Sequence, residues 1–134
     1  MGFFQRLFPS RESKMVSKLL DEVDETFDNS AFPIVREKIE RVISENPPEL
    51  KNLLKDTNSS YEWVYSSIAN VAGDMLESGQ YHMYRGVLNP TGYGPTLLEL
   101  FDVAVDELVK LRAINQDLAQ KEKSALRKNL NNVG

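Results

Sequence analysis

Residues 59–79 read SSYEWVYSSIANVAGDMLESG. Tyr61, Val64, Tyr65, Ile68, Val71, Ala72 and Met75 recur at three- and four-residue spacing. On a helix of 3.6 residues per turn they form one broad apolar stripe. Ser59 and Glu62 have the spacing of a capping box, which predicts a start at Ser59. Gly79 suits the left-handed position that ends a helix near Ser78. One side chain breaks the pattern. Trp63 points about 150° from the centre of the stripe, beside Ser67, Asn70 and Asp74. A tryptophan on a polar face is either covered by another element of its own chain or offered to a partner.

A matching pattern lies further along. Thr96-Leu97-Leu98-Glu99 is a second capping box, and Leu97, Phe101, Ala104, Val105, Leu108 and Leu111 make the stripe of a helix from Thr96 to about Arg112. These are the two most regular amphipathic segments in the chain. Ile68, Val71, Met75, Phe101, Ala104 and Leu108 are expected to meet in the core, on antiparallel or steeply crossed neighbours.

The connection between them, residues 79–95, differs in texture. It holds four of the seven glycines, three of the five tyrosines and the single histidine, so it is expected as a long Gly/Pro-rich loop. Asn89-Pro90-Thr91-Gly92 fits a type I turn. Arg85 is the one basic residue in 56–109, a span with eight acidic residues. Held in that negative field, it is expected either to pair with a carboxylate such as Asp74 or Glu77 or to grip an anion in bidentate fashion. Tyr81, Tyr84 and Tyr93 can add stacking faces and hydroxyl donors, and His82 a titratable imidazole.

Toward the N-terminus, Met15, Val16, Leu19, Leu20, Val23 and Phe27 predict a helix over about 11–28. Val35, Ile39, Val42 and Ile43 predict another over 33–45, with Pro33 in its first turn. Asn46-Pro47-Pro48 ends it, and Leu50, Leu53 and Leu54 suggest a short helix over 48–55. Near the C-terminus, Leu118, Leu126 and Leu130 give a thin stripe to a helix over 116–130, ringed by Lys121, Lys123, Arg127 and Lys128. So thin a stripe implies peripheral packing or completion by another chain. No segment sustains a two-residue alternation. The expected fold is an all-α, single-domain bundle of about five to six helices over 1–134. Residues 1–9 form an apolar arm and 131–134 a frayed tail.

Composition narrows the function. There is no cysteine, which excludes disulfides, thiolate metal sites and cysteine nucleophiles. The net charge of −4 gives no basic footprint for nucleic acid. No apolar run reaches the length of a membrane span, and the opening MGFFQRLFPS is too short for a secretory signal. The expected address is cytoplasmic. Phe3, Phe4, Leu7 and Phe8 cluster on one side of a short turn, suited to docking on the body or to weak contact with a membrane surface. Glu99, Asp102 and Asp106 share a helical face but lie opposite the apolar stripe, so they read as a solvated acidic face rather than a metal site. No phosphate-binding loop, nucleophile elbow or Glu-x-x-His motif is present. No catalytic residue, metal or cofactor is expected.

Two readings follow. The first is a non-catalytic helical module that binds another protein, a second copy of this chain included, through Trp63, the 79–95 loop or the terminal helix. The second is a small anionic-ligand-binding protein or enzyme, built from Arg85, His82, Tyr81, Tyr84 and Tyr93.

Overall fold

The computed structural model describes residues 11–27, 29–45, 57–78 and 94–133. They form five α-helices: α1 Arg11–Phe27, α2 Phe32–Glu45, α3 Thr57–Glu77, α4 Gly94–Lys110 and α5 Gln116–Val133. No strand occurs among the described residues, and the chain is the all-α bundle that its periodicity predicts. The arm at 1–9, the short helix at 48–55 and the loop over 79–93 lie outside the described residues.

Helix α3 is the hub: α1, α2, α4 and α5 all pack against it. Its buried set is Val64, Tyr65, Ile68, Ala69, Ala72, Met75 and Leu76, wider than one amphipathic stripe because neighbours stand on several sides. Val71, expected in the core, is half-buried at the edge of this arc. The opposing helix α4 contributes Leu97, Leu100, Phe101, Ala104, Val105 and Leu108. With Val16, Leu20, Val23 and Phe27 of α1 and Phe32, Val35, Ile39 and Ile43 of α2, they form one continuous apolar cluster.

Several side chains depart from their expected faces. Val42 is 46% exposed, because it falls at the margin of the α2 stripe in its last turn, where Ile43 takes the inward position. Leu118 is 42% exposed; Ala119, about 100° round the helix, points inward with Leu126 and Leu130 instead. Helix α3 begins at Thr57, so Ser59 and Glu62 lie inside the helix and do not form the expected cap. Ser60, in the extra turn, is buried at 3% exposure. Likewise α4 begins at Gly94, two residues before Thr96, with Pro95 in the first turn, where a missing N–H costs nothing.

Thr96 instead serves another helix. Asn29 accepts the Ala31 N–H on its side-chain oxygen at 2.9 Å, and its backbone carbonyl accepts from Phe32 at 3.1 Å. Its amide donates to the Thr96 carbonyl at 3.1 Å, across 67 residues of sequence. One asparagine thus caps α2 and anchors its start to the first turn of α4. Beside it, Phe27 and Phe32 stack with centroids 5.6 Å apart, and Phe27 leans on Tyr65 at 6.3 Å. This aromatic corner fixes the α1–α2 turn on α3. Arg36 closes the same pair of helices from outside, with Asp21 at 2.6 Å and the Ser17 hydroxyl at 3.2 Å.

The turn between α4 and α5 is a Schellman stop. Ala113 N–H donates to Leu108 at 3.0 Å and Arg112 N–H to Val109 at 2.9 Å. Arg112 stands at φ 61°, the left-handed position that glycine fills without strain. Arg112→Gly is therefore expected to raise stability by about 0.5–1 kcal/mol, read as a later urea midpoint with an unchanged slope. A lower midpoint would mean that the exposed arginine side chain contributes more than its backbone strain costs. Asn115 then caps α5, its side-chain oxygen accepting the Leu118 N–H at 2.8 Å.

Candidate functional site: a cleft between two helices

Helices α3 and α5 do not close completely over α4. A cleft of about 200 Å³ remains between them. Its α3 wall is Ala69, Asn70, Gly73, Asp74 and Glu77, and its α5 wall is Glu122, Ala125, Leu126 and Asn129, with Phe101 of α4 at the floor. The spacing explains the walls. Asn70, Asp74 and Glu77 are i, i+4 and i+7; Glu122, Ala125, Leu126 and Asn129 are i, i+3, i+4 and i+7. Each set lies on one helical face. At the end of the cleft the Asn129 amide donates to the Glu77 carboxylate at 3.4 Å, linking the walls.

Among the described residues, three carboxylates line the cleft and no lysine or arginine does. Two basic residues of α5 are turned toward α4 instead. Arg127 holds Asp102 of α4 through both guanidinium NH groups, and Lys123 holds Asp106 at 2.6 Å. Donating hydrogen bonds to Asp102 raises the Arg127 pKa, with the charge attraction between the two adding to the effect against partial burial. Asp102 and Asp106 are thus not the freely solvated face that their angles predict. They are the seam on which α5 docks, while Glu99 of the same triplet is exposed. Among the described residues no group of acidic side chains is arranged to hold a metal ion.

Trp63 is half-buried and packs against the apolar core. It shares a helical face with Asn70 and Asp74, roughly 10 Å before Asn70 at 1.5 Å rise per residue. Tyr81, His82, Tyr84, Arg85 and Tyr93 lie outside the described residues. The cleft residues carried only a faint signal in the sequence, a polar face on α3 and a charged one on α5. What makes them a site is the pairing of those faces, which periodicity within one helix does not encode.

A second polar feature lies elsewhere on α3. Tyr61 donates to the Glu22 carboxylate of α1 at 2.6 Å and stacks near Tyr65 at 6.5 Å. Burial pushes the Tyr65 phenol up to about 12, helped by the Glu107 carboxylate and by Tyr61. An unfolded tyrosine loses its proton near 10. The raised value favours the neutral, folded form, so the contribution of Tyr65 is complete below about pH 10 and drains away as pH rises toward 12. Stability of the native chain should fall more steeply between pH 9.5 and 11 than that of Tyr65→Phe, by urea titration at each pH. Parallel curves would show that the phenol ionises as freely when folded.

Comparison of the chain with protein-family models, with curated proteins and with solved structures gives no match. No helix of the described residues is long and apolar enough to cross a membrane.

Proposed function

We propose that this chain is a non-catalytic helical interaction module that binds another protein through the α3–α5 face. One observation carries the reading: an open cleft with an apolar floor, bordered by polar groups, continues the helical face on which Trp63 stands half-covered. Tryptophan is enriched where proteins meet, because it combines a large apolar area with one donor. Two rigid helices present this face, which keeps the ordering cost of binding low. A cytoplasmic setting is part of the same proposal.

A photo-crosslinking side chain placed at Asn70 or at Ala125, both exposed, tests it in the native cell. Lys38, exposed on α2, serves as the control. Discrete adducts of higher mass from the two cleft positions, absent from the control, are the expected result. Equal or no adducts from all three positions would remove the α3–α5 face as the docking surface.

A further inference from the structure

We infer that the α3–α5 cleft receives a lysine or arginine side chain of the partner protein; this rests on the docking role proposed for that face. Charge complementarity is the first argument. Among the described residues, Asp74, Glu77 and Glu122 enter into no ion pair and no lysine or arginine lines the cleft. Of the α5 cations, Lys123 and Arg127 are committed to α4, and the exposed Lys121 and Lys128 are not among the residues that line the cleft. A negative recess of this kind attracts a positive group and penalises a negative one.

Shape is the second. The carboxylates border an apolar floor rather than converge on one point, so they suit a long side chain with a charged end better than a small ion. The stem of a lysine or arginine covers apolar surface while its head stays with carboxylates and amides. Phe101 offers the stem an aromatic surface. Asn70 and Asn129 supply further carbonyl acceptors.

Gly73 is the third and independent argument. It is buried in the middle of α3, where glycine costs about 1 kcal/mol relative to alanine. Packing does not require it. A Cβ built there would meet the Phe101 ring at 3.6 Å, ordinary contact distance, and its φ is not in the left-handed range. What the missing methyl provides is room on the α3 wall beside the Phe101 ring. A helix that forgoes a better former at a site where one would fit has kept room for an occupant to approach the backbone.

The probes are N-acetyl-arginine amide and N-acetyl-lysine amide, titrated into isotope-labelled protein and followed by amide shifts. N-acetyl-citrulline amide is the neutral isostere. The amides of Gly73, Asp74, Glu77, Glu122 and Ala125 are expected to shift and saturate in the millimolar range for the cations. Citrulline should bind at least about 5-fold more weakly, and the cation affinity should fall as salt screens the carboxylates. Asp74→Asn with Glu122→Gln should lower cation affinity at least about 5-fold and leave the thermal midpoint in place, since both side chains are exposed. Gly73→Ala should weaken binding while the midpoint stays or rises, which separates a filled cleft from a damaged fold. Equal binding of citrulline, or no shift of the cleft amides by either cation, overturns the inference. The crosslinking result is read independently, so a face that docks a neutral or apolar partner is told apart from one that docks nothing.

Discussion

Phe32→Ala is expected to lower stability by about 3–5 kcal/mol, the range for removing a fully buried phenylalanine. The ring is 0% exposed and is the largest wholly buried side chain among the described residues. Truncation removes its contacts with the core and its stacking on Phe27, and leaves a cavity beside the turn that Asn29 fastens to α4. Net stabilities of folded domains are only about 5–15 kcal/mol, so such a loss would bring the chain close to unfolding at room temperature. Phe32→Leu should recover most of it. A urea midpoint shifted by less than about 1 kcal/mol would mean that the aromatic corner collapses around the gap, and that α1 and α2 are held mainly by Arg36.

Phe101→Ala is the second large effect, again about 3–5 kcal/mol. The ring is 8% exposed and touches two environments at once, the α3–α4 core and the cleft. Here the vacated volume opens onto solvent, so water can enter and the cost should fall in the lower half of that range. The variant also deepens the cleft, which Phe32→Ala does not. Comparing the two by denaturation and by binding of the arginine probe therefore separates loss of core packing from loss of the cleft floor. An unchanged midpoint for Phe101→Ala would show that α4 presents a different face to α3.

The helices were legible because their burial has a period. Ile68, Met75, Phe101, Ala104 and Leu108 fall where 3.6-residue spacing puts them. Errors arise where more than one neighbour shares a helix. Leu76 and Ala69 are buried because α3 is surrounded, and Leu100 because α4 is buried beyond its main stripe. Helix starts were less legible than helix faces. Ser59 and Thr96 have capping chemistry, but each helix begins two residues before them, while Asn29 and Asn115 do the capping observed. Charges were the hardest to read. Asp102 and Asp106 looked solvated from within α4, and only the approach of α5 turns them into a seam.

That seam sets an order of events. Of its side chains with described burial, helix α5 brings Ala119, Leu126 and Leu130 into the core, and its polar attachments, the two ion pairs to α4 and the Asn129–Glu77 hydrogen bond, are partly exposed to water. Pairs of that kind add little each. The strained turn at Arg112 precedes it. So α5 can lift away as a unit at a fraction of the free energy that opens the whole bundle, and its amides should exchange with solvent long before those of α3. Lifting it destroys one wall of the cleft. A partner seated between the walls binds only the closed form, and so holds α5 down by mass action. Occupancy of the cleft and the lifetime of the last helix are then the same equilibrium seen from two ends.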